Sequence, residues 1–192
     1  IMNAFSTSTA NSQILSLRAN NQPVFSVAGN GDLRTVGDIY AKSLRLGESG
    51  QPGDLAEKVD IAIEDTVEAG DVLVVDMNAP DTYRRSSGAF AQSVAGVVST
   101  NPTIVVGNGR TDYTAVMAMV GRVPVKVTTE NGSISRGDLL VSASTTGFAM
   151  KYDASKDERI GMVGVIGIAL EPLADGQGKV MALIRTGWAY NR

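Results

Sequence analysis

From residue 54 onward, the chain alternates apolar and polar positions in short runs that turn-forming residues separate. "KVDIAIED" places Val59, Ile61 and Ile63 on one side of a strand and charged residues on the other. Seven further runs are rich in Val and Ile and show no sustained helical period. They read GDVLVVDM, SVAGVVS, TIVVGN, YTAVMAMVGRVPVKVTT, GDLLVSAS, RIGMVGVIGIALE and KVMALIRTGW. The pattern predicts an all-β head domain, a β-barrel, over residues 54–192.

Residues 1–46 are leaner in apolar side chains, and turn signals at Asn20-Asn21 and Gly29-Asn30-Gly31 divide them. So thin a segment buries too little surface to hold itself together within one chain. We therefore predict a short β-rich, intertwined trimeric shaft, in which copies pool their apolar residues around a shared axis. A disordered or strand-swapped N-terminal extension is the alternative. The polar run GESGQPG at 47–53 predicts a hinge. The apolar points of the shaft are Leu15, Leu17, Phe25, Val27, Val36, Ile39, Leu44 and Leu46.

An internal repeat runs through the predicted barrel. "AGDVLVVD" at 69–76 returns as "RGDLLVSA" at 136–143, an offset of 67 residues, and an alternating strand precedes each copy. "SSGAFAQ" and "TTGFAMK" follow, and then "VAGVVS" and "VIGIALE" in the same order. We expect a duplicated β unit that closes a pseudo-symmetric barrel, because one unit alone leaves edges and an apolar face exposed.

The repeat also bears on Arg136-Gly137-Asp138, a triplet that some cell-surface receptors recognise. The element that recurs is Gly-Asp before an apolar strand, with Ala69 in place of the arginine. Glycine permits the turn, and Asp71 or Asp138 can accept hydrogen bonds from nearby amides. We therefore interpret the triplet as a structural turn.

Composition restricts the chemistry. Hydrophobic residues make up 43% of the 192, which supports a packed core, and the net charge of −3 comes with no basic block, which argues against nucleic acid. No run reaches the roughly 18 apolar residues of a membrane span, so we expect no membrane insertion. Residues 1–5 do not form a secretion signal, and a start at Ile1 suggests a piece of a longer chain.

The chain has no Cys and no His, which removes disulfides, thiolate sites, the commonest general base and the usual zinc ligand. We expect no cofactor, no metal and no enzymatic activity. A Ser–Lys pair, or two carboxylates that cleave carbohydrate, stays as an alternative. The crowded carboxylates are Asp60, Glu64, Asp65 and Glu68.

"GRVPVKVTTENGSISRGDLLVSASTTGFAMK", with "GVIGIALE" and "GKVMALI", resembles the C-terminal β head domain of phage-type tail-fibre proteins and trimeric bacterial surface fibres (adhesins). "GDLAE" at 53–57 matches the opening of that domain, and the resemblance covers residues 53–188. "PVFSVAGNGDLRTVGDIYAKSLRLG" is similar to shaft segments. The resemblance implies a homotrimer in an extracellular fibre, on a virion tail or a bacterial cell surface, that mediates adhesion or receptor binding. The chain differs from many such fibres in lacking a terminal helical self-cleaving chaperone domain.

A non-catalytic head of this kind is expected to bind a glycan through exposed aromatic rings and polar loops. Trp188 and Tyr190 could instead cap the barrel or lie at a subunit interface, and the loop tyrosines could be plain surface residues. A structural spacer or assembly module is the alternative function, and a carbohydrate-cleaving head is a third. The candidate ligand-binding residues are Tyr83, Arg84, Arg85, Tyr113, Tyr152, Trp188 and Tyr190.

Four other motifs are interpreted as structural. Two acidic clusters lack EF-hand spacing and are read as solvated turns, not calcium sites. Asn131-Gly132-Ser133 is first a hairpin turn and only then a glycosylation acceptor. "VGNGRTD" at 106–112 has no Walker-type Lys-Ser/Thr, which argues against a phosphate cradle. The acidic clusters comprise Asp76, Asn78 and Asp81, and Asp153, Asp157 and Glu158.

Overall fold

The computed structural model describes residues 13–47, 51–156 and 161–191, and it is nearly all β. Within these residues the only helical element is a single 3₁₀ turn at Ala154–Lys156. The all-β prediction is confirmed. The chain divides into two compact units, Ile1–Arg45 and Leu46–Arg192.

The first unit contains an antiparallel sheet of three strands, β1 (Gln13–Ala19), β2 (Gln22–Ala28) and β3 (Leu33–Thr35), in that order. Asn20 and Asn21 join β1 to β2 with φ angles of 48° and 61°. A two-residue hairpin with both φ angles positive favours Asn and Gly, which explains this pair of asparagines.

The second unit contains ten strands in one mixed sheet. Each of the eight predicted runs contains a strand. Two strands, β6 and β11, were not predicted, and Ile63 is 69% exposed because β4 ends two residues before it. The strands are β4 (Asp54–Ile61), β5 (Val72–Val75), β6 (Thr82–Arg85), β7 (Val94–Val98), β8 (Ile104–Val106), β9 (Thr114–Thr128), β10 (Leu139–Ser142), β11 (Ala149–Lys151), β12 (Gly161–Ala169) and β13 (Gln177–Asn191).

The strand pairings of the second unit close two rings. One ring runs β4–β6–β5–β7–β9 and returns to β4. The other runs β9–β11–β10–β12–β13 and returns to β9. The 15-residue strand β9 belongs to both rings, because its first part pairs with β4 and its second part with β13. The predicted barrel therefore takes the form of two adjoining rings, and β8 extends the outer edge at β4.

The two rings share hydrogen-bonding details that follow the sequence repeat. The strand that follows Gly-Asp is β5 in the first ring and β10 in the second, and it pairs with β7 and β12, respectively. In both pairings a register shift follows the second residue pair. Residues Val72, Leu73 and Val74 face Val97, Gly96 and Val94, just as Leu139, Leu140 and Val141 face Ile168, Gly167 and Val165.

The Gly-Asp turns of the two copies have the same geometry. Gly70 and Gly137 have φ angles of 89° and 96°. The carboxylates of Asp71 and Asp138 each accept a hydrogen bond from the amide three residues earlier, at 2.7 and 2.8 Å. Arg136 donates from Nε to a carbonyl oxygen after β12 at 2.9 Å. This geometry supports the structural interpretation of the triplet.

One part of the predicted repeat is wrong. "SSGAFAQ" follows β6, whereas "TTGFAMK" contains β11, so the two blocks occupy different places in their rings. The register instead equates Arg85 with Lys151, because they face Leu73 and Leu140. The two blocks look alike in sequence because each has Gly, Ala and Phe close together.

The largest cluster of buried apolar side chains joins the two rings. Val72, Val97 and Ala118 of the first ring pack in the same cluster as Leu140 and Ile166 of the second. Burial of this apolar surface is what holds the two rings together as one unit.

Candidate ligand-binding surfaces

Strand β6 separates the three candidates of "DTYRRSS". The sequence suggested that Tyr83, Arg84 and Arg85 lie in a loop, and this is wrong, because they form most of β6. Neighbouring side chains of a strand point to opposite faces, so the three residues do not converge. Arg85 is occupied by an ion pair, with its Nε 2.7 Å from Asp65 Oδ1.

Tyr83 lines an open polar groove, the Tyr83 groove, with a volume of about 340 Å³. Burial, together with the charges of Glu57 and Asp81, raises the pKa of the Tyr83 hydroxyl. Acidic and basic side chains thus line the groove together. Its polar lining consists of Glu57, Lys58, Asp60, Asp81, Tyr83, Asn108 and Arg110.

The floor of the Tyr83 groove is an ion pair between Asp60 and Arg110. The Asp60 carboxylate accepts hydrogen bonds from the Arg110 amide at 2.7 Å, the Thr111 amide at 3.0 Å and Arg110 Nε at 3.0 Å. The hydrogen bond from the Arg110 amide is the largest cause that lowers the pKa of Asp60. The glycine-rich loop 106–112 thus cradles a carboxylate of its own chain.

A second concave surface, the Arg84 pocket, has a volume of about 320 Å³. The Nε atom of Arg84 is buried and has no hydrogen-bond partner within the described residues. Asp76 is also buried, and its Oδ1 accepts the amide of Asn78 at 2.9 Å. The polar lining of the pocket consists of Asp76, Asn78, Arg84, Ser87 and Ser93.

The acidic clusters do not assemble as metal sites in the described part of the chain. Asp76 lines the Arg84 pocket, whereas Asp81 pairs with Arg110 at 3.1 Å. Asp153 accepts the amide of Ser155 at 3.0 Å in a local turn. Asp157 and Glu158 lie outside the described residues. No group of three or more potential metal-ligating His, Cys, Asp or Glu side chains occurs among the residues described.

Trp188 and Tyr190 are 67% and 64% exposed near the end of β13. They lie two residues apart, so they share one face of the strand, and Met162 lies opposite Tyr190 with 48% of its surface exposed. We call Met162, Trp188 and Tyr190 the Trp188 patch. With this exposure the two aromatic rings do not cap the barrel of their own chain.

The two remaining tyrosine candidates differ in burial. Tyr113 is 52% exposed in the turn before β9. Tyr152 instead packs in an apolar cluster, edge-on to Phe90 with ring centroids 6.4 Å apart. Its hydroxyl is buried without a hydrogen-bond partner among the described residues, so Tyr152 offers no free ring face to a sugar.

Other predicted motifs have structural roles. The Asn131 side chain is buried and donates to the Lys151 carbonyl at 3.0 Å, and Gly132 has a φ of 99°, as a turn requires. Three of the four crowded carboxylates form ion pairs with basic side chains. These pairs are Asp60 with Arg110, Asp65 with Arg85 and Glu68 with Lys126.

Sequence reasoning missed Arg110 and the two concave surfaces. It interpreted Asp76 as part of a solvated turn, and this is wrong, because Asp76 is buried and lines the Arg84 pocket. Arg110 reaches Asp60 across 50 residues of chain, so no local pattern indicates the pair. The only available signal was the concentration of Asp and Asn in the turn at 76–81. No helix in the described residues has the length and hydropathy needed to cross a bilayer.

No family model and no curated protein matches this chain. Two solved structures of bacteriophage phi29 gene product 12 resemble its fold. The pre-mature protein is 12% identical with a TM-score of 0.50, and the match covers 85% of this chain and 24% of that one. Its C-terminal fragment is 14% identical with a TM-score of 0.50, and the match covers 69% of this chain and 100% of the fragment. The chain thus spans about a quarter of the pre-mature protein, and the likeness shows the fold.

Proposed function

We propose that this chain is the distal part of a homotrimeric, extracellular fibre that binds a glycan receptor on a cell surface and catalyses no reaction. The observation that carries this proposal is the composition of the first sheet. Among residues 14–47, Ser26 alone is buried. Leu15, Val24, Phe25 and Val27 are half-buried, and the other large apolar side chains are exposed to solvent. A sheet with one apolar face is stable when that face is covered.

Five apolar side chains of the first sheet share one face. Leu15 lies opposite Val27 and Leu17 opposite Phe25, and β3 adds Leu33 beside Val27. Leu17 and Leu33 are 50% and 54% exposed. The other face carries Ser16, Ser26 and Arg34, together with Val24, which alternates with Phe25 along β2. We call the face that carries Leu17 and Leu33 the Leu17 face. In a trimer, the other two copies of the chain would cover it.

The segment after β3 also exposes large apolar and aromatic side chains. It has no regular structure, yet it carries Val36, Ile39, Tyr40 and Leu44, which are between 66% and 93% exposed. Contiguous exposed apolar surface of this kind marks an interaction site. Assembly around a common axis would bury these side chains together with the Leu17 face.

Binding is supported by the Trp188 patch and by the two concave surfaces. Aromatic rings stack on the apolar faces of sugars, while carboxylates, arginines and amides bind the hydroxyls. Both structural neighbours are bacteriophage gene products, which supports a place on a virion. A spacer or assembly module of a fibre is the second candidate function, because such a module would also assemble through the exposed Leu17 face.

A glycan array and a whole-cell binding assay on the assembled protein separate the two functions. A receptor-binding fibre should bind, and the double variant Trp188→Ala, Tyr190→Ala should lose most of that binding. Ile63→Ala is the matched control, because Ile63 is 69% exposed and lies outside the three surfaces. A trimer that binds neither glycans nor cells would contradict the receptor-binding proposal and favour the spacer.

A further inference from the structure

The side-chain charge of Arg84 has no counter-ion within salt-bridge distance among the described residues. The side chain forms no hydrogen bond or ion pair with any described residue, and its Nε atom is buried. The nearby carboxylate of Asp65 is taken by Arg85, so Arg84 affects Asp65 only at longer range. A buried polar atom without a partner costs free energy, and in native proteins it calls for an explanation.

The loop that forms one wall of the Arg84 pocket is fixed in place. Ser142, which is fully buried, accepts the amide of Ala91 on its hydroxyl at 2.8 Å and donates to the carbonyl of Gly88 at 2.8 Å. Phe90 donates its amide to the Ser142 carbonyl at 2.9 Å and holds a φ of 58°. A non-glycine residue in this region of φ is kept there by its surroundings. The wall is therefore preorganised, which reduces the entropic cost of binding.

The chemistry of the pocket defines its ligand. The guanidinium fork of arginine matches the two oxygens of a carboxylate or phosphate. Asp76 can accept hydrogen bonds from hydroxyl groups, and Ser87 and Ser93 can donate or accept them. The volume of about 320 Å³ lies at the lower end of small-molecule sites, which suits a ligand of one or two sugar rings.

We infer that the Arg84 pocket binds a sugar residue that carries an oxyanion, with the oxyanion on Arg84 and the hydroxyl groups towards Asp76 and the serines. The inference rests on the proposed function and specifies the class of glycan. Carboxylate and phosphate share this chemistry, and separate ligands distinguish them in the test.

The test is saturation-transfer NMR on the intact, assembled protein with glucuronic acid, glucose 6-phosphate and glucose as probes. We expect the charged sugars to bind about tenfold more tightly than glucose, because a hydrogen bond to a charged group is stronger than one between neutral groups. Arg84→Gln should remove this preference. Arg84→Lys should keep part of it, since lysine retains the charge without the fork. Arg185→Gln, a change of an exposed arginine, is the matched control and should bind as the unmodified protein does.

Thermal melting of the same variants separates binding from structure. Arg84→Gln should melt no lower than the unmodified protein, because the Arg84 side chain makes no hydrogen bond or ion pair with the described residues. A lower melting temperature would assign Arg84 a structural role instead. Equal binding of all three probes, or an Arg84→Gln protein that binds like the unmodified one, would overturn the inference.

The outcome for the pocket can be told apart from the outcome for the proposed function. If cells are bound through Trp188 while no charged sugar prefers the pocket, the inference fails and the proposed function stands. If glucuronic acid or glucose 6-phosphate binds in an Arg84-dependent manner while cells and arrays are not bound, the pocket stands and the receptor function fails.

Discussion

The Nζ atom of Lys126 lies 2.7 Å from Oδ1 of Asp71, and this contact ties the second part of β9 to the turn that begins β5. The Asp71 side chain is 1% exposed and that of Lys126 15%. Burial opposes the charge on Lys126, but the hydrogen bonds that Lys126 donates to Asp71 and Glu68 outweigh this effect and raise the pKa of the lysine. The Lys126 amide also donates to the Gly70 carbonyl at 3.0 Å. The repeat turn of the first ring is therefore anchored on the strand that the two rings share.

Lys126→Met should destabilise the protein strongly, because it leaves the buried Asp71 carboxylate without its counter-ion. Removal of one partner of a buried ion pair typically costs about 3–5 kcal/mol. Denaturant unfolding at neutral pH measures the change. Lys156→Met, at an exposed lysine, is the control and should change the free energy of unfolding little. A Lys126→Met protein as stable as this control would show that the pair does not hold the turn.

Gly96 and Gly167 occupy equivalent positions in the two rings and should be equally intolerant of a side chain. A Cβ atom at Gly96 would collide with the carbonyl oxygen of Ala118, and one at Gly167 with that of Leu183. We expect Gly96→Ala and Gly167→Ala each to lose about 1–3 kcal/mol or more. Thermal melting is the measurement, and Gly187→Ala is the control, because its Cβ would meet open space. A tolerated alanine at only one of the two sites would argue against their equivalence.

Acid should weaken the protein through Asp60. Hydrogen bonds from the Arg110 amide, the Arg110 side chain and the Thr111 amide hold the pKa of Asp60 below its ordinary value of 3.8. A carboxyl group with a lowered pKa in the folded state contributes stability above its unfolded pKa and loses that contribution as the pH falls through its folded value. The free energy of unfolding should therefore drop below pH 3.8. Asp60→Asn should flatten this dependence, and an unchanged acid slope would contradict the assignment.

The alternating pattern predicted the long apolar strands well, because burial of one face dictates which residues recur at every second position. Strand β6 was not predicted, because Tyr83, Arg84 and Arg85 lie in the polar run DTYRRSS, whose composition is typical of a turn. The sequence also did not predict that β9 belongs to both rings. Its partners β4 and β13 lie far apart in sequence, and no local pattern specifies such pairings. Tyr152 was a candidate because it lies in the polar run KYDASKDER, yet its ring packs against Phe90. The repeat, in contrast, was visible because Gly-Asp turns need specific residues.

The Leu17 face should control assembly without affecting the second unit. Replacing Leu17 and Leu33 together with Asn places polar groups on the face that copies would bury, and association should fail because buried amides without partners are costly. Arg34→Ser, on the opposite face, is the matched control. Circular dichroism should show that the ten-stranded unit stays folded in both proteins. Association that survives in the double variant would place the contact elsewhere.

The most direct test of the account is the molar mass of the protein in solution, measured by light scattering after size-exclusion chromatography. A trimer of three 20.1 kDa chains is predicted, and the Leu17→Asn, Leu33→Asn variant should elute at the mass of one chain. A protein that is monomeric at every concentration, and in which the sheet of β1, β2 and β3 is protected from hydrogen exchange, would contradict the proposal of a trimeric fibre.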